Sequence, residues 1–231
     1  MTDWYKIKRI LTWQNWVEKQ IYPAGWKPWS NTIAYYPLTS TTTVNDLSWN
    51  WYNLTNTSTT FWTYQWVSCA SFNWSTSKLT ATIWTLPQWA NPRTTSLWIY
   101  NTGVDWLSIM WYWANRTRYW CWEYTYGSST EWYTLAAYYI DEFTHINTKN
   151  SWLLFTATYD WTYIKTYINW EIKSTSSAYT LATSWTNFEI WSPYATNPFQ
   201  GYASNAIIEN KVRTAQEISD YYNLTKSNYG L

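Results

Sequence analysis

Apolar and polar residues alternate with the period of a β-strand along most of the chain after residue 30. The clearest example is 163–168, where tyrosine and lysine alternate with isoleucine and threonine. Similar short runs, separated by turn residues, predict strands at 33–38, 67–72, 94–100, 107–112, 134–140, 153–159, 163–168, 187–190 and 203–209. Many short strands at this spacing predict an all-β fold, an antiparallel sandwich or barrel.

One short helix is predicted near the C-terminus. Thr214 and Glu217 have the three-residue spacing of a capping box, in which each side chain bonds the backbone N–H of the other. Ile218, Tyr221 and Tyr222 can then bury one side of the helix.

The first 30 residues have a different pattern. Two stretches predict a small hairpin and three turn residues follow it: 5–11 and 17–22, then Pro23, Gly25 and Pro28. We interpret 1–30 as an N-terminal arm or attachment segment, and an edge ribbon of the main domain is the alternative. The main domain then covers 31–225, and 226–231 form a C-terminal tail.

The composition changes how the turns are interpreted. The chain has 24 tryptophans and 5 glycines in 231 residues, whereas glycine is usually about 7% of a protein. Asp160-Trp161 and Asn169-Trp170 stand where Asp-Gly and Asn-Gly would form type I′ hairpin turns, and tryptophan at positive φ is an outlier. We hypothesise that most of these tryptophans are UGA codons that the source reads as glycine, as some bacterial and phage lineages do. The alternative is a truly tryptophan-rich surface.

Charge and cysteine content exclude several classes of partner. The net charge is +1 and 13% of residues are charged, so the chain has no basic surface for nucleic acid. No apolar stretch approaches the roughly 20 residues of a membrane helix, and no secretory signal is visible. Cys69 and Cys121 leave two alternatives open, one disulfide or two free thiols.

Eight short segments occur in an order that is informative: 31–38, 45–51, 70–74, 95–99, 156–161, 167–171, 199–202 and 213–218. With glycine at the suspect positions they resemble the strands, turns and terminal helix of laminin-G-like members of the concanavalin A-like lectin/glucanase superfamily. Trp98 matches a tryptophan of the family's Ser-x-Trp-Val strand, so we expect it to be genuine. The resemblance covers about 31–223 and implies a jelly-roll sandwich of two antiparallel sheets, one of them curved, with a concave face available for a ligand.

The resemblance also raises the question of calcium. The family often has an acidic pair on the strand after Gly-Tyr-Ile, which can help hold calcium, but here 203–205 reads Ala-Ser-Asn. Calcium prefers several oxygen ligands that include carboxylates. Asp46 and Asn205 could still contribute oxygens, so a calcium site is left open, and the sequence indicates no other cofactor.

Catalysis is not predicted. Glucanases of this superfamily use two carboxylates on one strand face, about 5–5.5 Å apart in the retaining mechanism, in a Glu-x-Asp-x-x-Glu run that is absent here. Asp141 and Glu142 are adjacent and would point to opposite faces of a strand. His145 is the single histidine, and nothing near it suggests a nucleophilic triad.

Binding is the remaining class of function. The candidate ligand-binding residues combine phenol, amide and guanidinium groups: Tyr112, Asn115, Arg116, Arg118 and Tyr124. Such groups suit stacking on sugar rings and directional bonds to hydroxyls, although a solvated tyrosine-rich sheet face is the alternative.

We therefore predict a non-catalytic carbohydrate-binding or adhesion module on an extracellular, cell-surface or virion structure. Its partner would be a glycan or a cell-surface or virion protein. A purely structural or assembly module of a phage or surface protein is the second hypothesis, and a divergent glycan hydrolase is the third.

Overall fold

The sequence folds into strands that pair in two antiparallel sheets. The computed structural model describes residues 31–39, 43–73, 75–102, 110–112, 120–122, 124–125, 132–137, 140–144, 150–184, 186–190 and 200–231. The predicted N-terminal arm, 1–30, lies outside these residues. The predicted fold class is confirmed, since the described residues form an all-β sandwich with a short C-terminal helix.

The first sheet contains eight of the described strands. They are β1 (Thr32–Tyr36), β4 (Thr60–Tyr64), β5 (Val67–Phe72), β7 (Arg93–Asn101), β13 (Trp152–Tyr159), β14 (Ile164–Ile168), β15 (Glu171–Thr175) and β17 (Gly201–Glu209). Their order is β15-β14-β13-β7-β17-β5-β4, and β1 also pairs with β17. The long strands β7, β13 and β17 therefore form the centre of this sheet.

The second sheet contains nine of the described strands, most of them shorter. They are β2 (Thr43–Val44), β3 (Leu54–Thr57), β6 (Lys78–Thr82), β8 (Met110–Tyr112), β9 (Trp120–Trp122), β10 (Tyr124–Thr125), β11 (Trp132–Ala137), β12 (Ile140–Thr144) and β16 (Asn187–Ile190). Their order is β10-β11-β9-β8-β16-β6-β3-β2, and β12 also pairs with β11.

The main hydrophobic core lies between the two sheets. Leu97 and Ile99 of β7 pack into it with Leu79, Phe188 and other residues of the second sheet. Side chains alternate across a strand, so Trp98, between these two, lies on the outer face of the first sheet, in a second hydrophobic cluster. Strand β7 is consequently buried along its whole length.

The C-terminal residues cover part of that outer face. Helix α1 (Ala215–Thr225) begins with the predicted capping box, which is confirmed, and a 3₁₀ helix (Lys226–Tyr229) follows it. The tyrosines of these two helices pack in the second cluster with Trp98. The residues interpreted as a tail thus include a side chain, Tyr229, that is buried in the sandwich.

Several turns place tryptophan in the left-handed region. Among the described residues, five tryptophans have positive φ: Trp49 (73°), Trp51 (63°), Trp66 (70°), Trp89 (51°) and Trp161 (76°). Gln65, with φ 47°, precedes Trp66 in the two-residue connection between β4 and β5. Two successive positive φ values in such a connection are the pattern of a type I′ turn.

The two turns predicted as type I′ differ from that expectation. Four residues, 160–163, connect β13 to β14, and among them Trp161 is left-handed. The Asp160 carboxylate accepts hydrogen bonds there from the N–H groups of Thr162 (3.1 Å) and Tyr163 (2.7 Å). In the second turn Asn169 has φ 60°, a conformation that asparagine tolerates. Trp170 is not among the left-handed residues.

Candidate functional site

The predicted ligand-binding residues fall in the second sheet or outside the described residues. Tyr112 ends β8, where it pairs in register with Phe188, and Tyr124 begins β10, where it pairs with Tyr133. Asn115, Arg116 and Arg118 lie outside the described residues. The two tyrosines thus belong to strands of one sheet, and their role in binding stays a prediction.

A row of polar residues crosses the outer face of this sheet. Thr55, Thr80 and Glu189 lie opposite one another on β3, β6 and β16. Each is next in sequence to a buried core residue, Leu54, Leu79 or Phe188. Because consecutive residues point to opposite faces, the row faces away from the core.

Backbone pairing in register with this row extends to the next two strands, β8 and β9. Glu189 pairs with Trp111 on β8, and Trp111 pairs with Cys121 on β9. Exposed Asn187 and Thr82 also pair with each other beside the row. Hydroxyl, amide and carboxylate groups therefore share one sheet face, and these groups can donate to and accept from sugar hydroxyls.

The first calcium candidate, Asp46, is saturated by hydrogen bonds inside the protein. Its Oδ1 accepts from the N–H of Tyr35 (3.0 Å) and of Ser48 (2.8 Å). Its Oδ2 accepts from Ser48 Oγ (2.8 Å) and from the N–H of Tyr52 (3.1 Å). The carboxylate is buried, so it stabilises the loop that follows β2.

The second candidate, Asn205, also makes internal bonds. It sits at a register shift between β17 and β7 with φ 53°. Its Oδ1 accepts from the Tyr35 hydroxyl at 2.7 Å, and its Nδ2 donates to the Tyr229 hydroxyl at 2.6 Å. Within the described parts of the chain, no three His, Cys, Asp or Glu residues form a metal-binding group. Calcium binding stays a prediction.

An aromatic cluster that sequence reasoning missed lies at one end of the first sheet. Tyr64 and Tyr202 stack with ring centroids 4.1 Å apart at 15°. Tyr100 makes T-shaped contacts with Tyr64 and with Trp152, with ring centroids 4.8 Å and 5.7 Å apart. Register brings these rings together, because Tyr202 pairs with Tyr100 on β7 and with Ser71 on β5. Tyrosine beside the turn Gln65-Trp66 was the available signal.

The cysteine question has a partial answer. Cys69 is a free, buried thiol on β5 of the first sheet, and Cys121 lies on β9 of the second sheet. Burial raises the pKa of the Cys69 thiol to about 11. Of the two alternatives, the disulfide is therefore not present, and the Cys69 thiol is protonated at neutral pH.

Solved structures with a similar fold are β-sandwich domains. Domain 4 of AbnA, a GH43 extracellular arabinanase from Geobacillus stearothermophilus solved with arabinotriose, matches with TM-score 0.63 and 16% identity over 83% of this chain and 98% of that chain. The botulinum neurotoxin serotype G binding domain matches with TM-score 0.65 and 17% identity over 85% of this chain and 52% of that chain.

A third similar structure is the binding domain of Paraclostridial mosquitocidal protein 1, with TM-score 0.62, 14% identity and coverage of 84% of this chain and 52% of that chain. The chain thus spans about half the length of the toxin binding domains it matches. No protein-family model and no curated protein sequence matches it. At these identities the similarity shows the fold alone.

None of the helices in the described residues is long and apolar enough to cross a membrane.

Proposed function

We propose that this chain is a non-catalytic carbohydrate-binding module. The observation that carries the proposal is the match over nearly the whole of an arabinanase domain that was solved with a bound trisaccharide. The polar row Thr55, Thr80 and Glu189 supports it, because it supplies hydrogen-bonding groups across a sheet face. In this proposal the ligand lies on that face.

The arrangement of acidic residues supports a binding rather than a hydrolytic role. Glycoside hydrolysis needs two carboxylates that flank one glycosidic bond. Asp141 and Glu142 are consecutive on β12 and pair in register with Leu135 and Thr134, which is not the i, i+2 spacing that places two residues on one strand face. Glu189 is the only carboxylate-bearing position of the polar row described above.

The module is proposed to act outside the cell, on a cell surface or on a virion, with a glycan or a surface protein as its partner. The matched arabinanase is described as extracellular, and this supports the extracellular part of the proposal. An assembly role would instead be favoured by self-association in sedimentation experiments without any glycan binding.

A glycan array tests the function. The purified chain should bind oligosaccharides, and Thr80→Ala or Glu189→Gln in the polar row should weaken that binding, as should Tyr124→Ala or Arg118→Ala among the residues predicted from the sequence. Tyr163→Ala is the matched control, since Tyr163 is 42% exposed on a loop of the other sheet. A blank array with folded protein, or equal weakening by the control, would contradict the proposal.

We also propose that the left-handed tryptophans are glycine in the native protein. Trp49, Trp51, Trp66, Trp89 and Trp161 have positive φ, and all five are exposed. A left-handed backbone costs a residue with a β-carbon roughly 1–2 kcal/mol. Five such sites cost roughly 5–10 kcal/mol, which is comparable with the whole stability of a domain, about 5–15 kcal/mol.

Two tryptophans are proposed to be genuine. Trp98 and Trp152 are 0% and 2% exposed, and both contact Tyr229, with ring centroids 3.8 Å and 5.1 Å away. Glycine at either position would leave a cavity. The coding sequence tests both assignments: UGA is expected at the five left-handed positions and UGG at Trp98 and Trp152. UGG at all seven would end the proposal, and the intact mass of protein from its natural source provides a second measurement.

A further inference from the structure

The aromatic cluster at the end of the first sheet has the properties of a ligand site. Helix α1 and the 3₁₀ helix pack around Trp98, whereas Tyr64 and Tyr202 lie further along the same outer face and remain half-buried. Their rings stack on each other, and both rings remain partly accessible. Its position is separate from the polar row of the second sheet.

Buried neighbours hold the two rings in place. Tyr100, which is 4% exposed, packs against Tyr64 in one side-chain contact and against Trp152 in another. Burial and the neighbouring Tyr64 raise the pKa of Tyr100 to about 12, so its phenol stays neutral. A preorganised aromatic surface loses little conformational entropy when a ligand stacks on it.

A polar group accompanies the rings. Gln65 is exposed at the hairpin tip beside Tyr64, and its Nε2 donates to the Tyr100 hydroxyl at 3.4 Å. Amide and phenol groups at the rim of an aromatic surface can bond hydroxyls while the ring face contacts C–H groups. Trp66, 96% exposed, makes little contact with the cluster, so the arrangement does not depend on that indole.

The charge at this end of the sheet selects the class of ligand. The strand ends and turn that surround the rings, 60–73, 99–102, 150–154 and 200–204, contain no Asp, Glu, Lys or Arg. Within these four described segments, a phosphate, an acidic sugar or a charged peptide would find no opposite charge. A neutral sugar ring needs none, because it combines apolar faces with hydroxyls.

We propose that Tyr64, Gln65 and Tyr202 form a second carbohydrate site that binds a neutral sugar ring. The inference rests on the proposed function, since it gives the same module a second point of attachment to a glycan. Two sites on different faces would let one chain bind two segments of a polysaccharide, and linked sites raise the apparent affinity.

The test is a titration of the purified full chain with arabinotriose, cellotriose, maltotriose and N-acetylchitotriose. Tyr64→Ala and Tyr202→Ala should each weaken binding at this site by about 2- to 12-fold, the range that one aromatic stacking contact implies. Tyr163→Ala is the control and should bind like the unaltered chain. Thermal unfolding of each variant shows whether it is folded.

A second measurement does not depend on variants. Labelled tyrosine ring signals are followed by NMR during the same titrations, and those of Tyr64 and Tyr202 should shift whereas that of fully buried Tyr159 should not. Binding that leaves both rings and both variants unchanged overturns the second site while the proposed function stands. No binding to any of the four sugars overturns the second site, and a blank glycan array as well overturns both.

Discussion

Trp98 and Tyr229 stack face to face, with ring centroids 3.8 Å apart and ring planes 12° from parallel. The Tyr229 hydroxyl donates to Ser204 Oγ at 3.2 Å and accepts from Asn205 Nδ2 at 2.6 Å. One side chain near the C-terminus therefore joins the central strand β7 to the register shift in β17. The last residues of the chain close the outer face of the first sheet.

This contact predicts a large effect of truncating the ring. Tyr229→Ala should lower the free energy of unfolding by about 3–5 kcal/mol, the usual result of removing a buried aromatic side chain. Tyr229→Phe keeps the stack but leaves the Asn205 amide without its acceptor, which should cost about 1–3 kcal/mol. Urea unfolding measures both. Tyr163→Ala, at an exposed site, is the control, and an equal loss there would contradict the account.

The left-handed turns predict that glycine stabilises the chain when it is produced with tryptophan throughout. Trp66→Gly and Trp161→Gly should each raise the free energy of unfolding by roughly 1–2 kcal/mol, because the backbone strain is relieved. Trp84→Gly is a matched control, since Trp84 is 72% exposed but is not among the left-handed residues. A similar gain at Trp84 would show that exposure rather than backbone conformation is the cause.

The start of helix α1 predicts a loss of stability in acid. Burial opposes ionisation of Glu217, but hydrogen bonds from Lys211 and the Thr214 N–H, with the charge of Arg213, outweigh it and lower its pKa from 4.5 to about 2. A carboxyl with a lowered pKa stabilises the fold above its ordinary pKa and loses that effect as the pH falls. Stability should therefore decrease between pH 4.5 and about 2.

Glu217→Gln isolates that effect. Glutamine can still accept a bond from the helix cap but carries no charge for Lys211 and Arg213. Chemical denaturation at several pH values should show a smaller acid loss in this variant than in the unaltered chain. Parallel pH profiles would contradict the assignment.

The Asp46 loop predicts structural rather than metal dependence. Asp46→Asn replaces one of two oxygens that each accept two hydrogen bonds, and leaving buried donors unpaired costs about 1–3 kcal/mol each. Asp160→Asn is the control, because that carboxylate bonds N–H groups in an exposed turn. A chelator should leave the melting temperature unchanged, and a clear decrease would instead favour a calcium site.

Strands with strong hydrophobic alternation were predictable from sequence. The predictions at 67–72 and 187–190 coincide with β5 and β16. Strands β3 and β6 were not predicted, because threonine, asparagine and lysine occupy most of their positions and each buries one leucine, Leu54 or Leu79. Alternation among polar residues gives little hydrophobic signal.

The candidate sites were harder to predict than the strands. The stack of Tyr64 on Tyr202 depends on the order β17-β5-β4, and strand order across a sheet is not encoded in local pattern. The left-handed turns were easier to predict than the candidate sites. Trp49, Trp51 and Trp161, at positions where the sequence suggested glycine, do have positive φ. Backbone conformation at such turns is local, so sequence alone could indicate it.

A glycan array probed with the chain carrying glycine at the five left-handed positions and tryptophan at 98 and 152 tests the central claim most directly. The account predicts binding to neutral oligosaccharides that Tyr163→Ala leaves intact. A folded protein that binds no glycan on the array would contradict it.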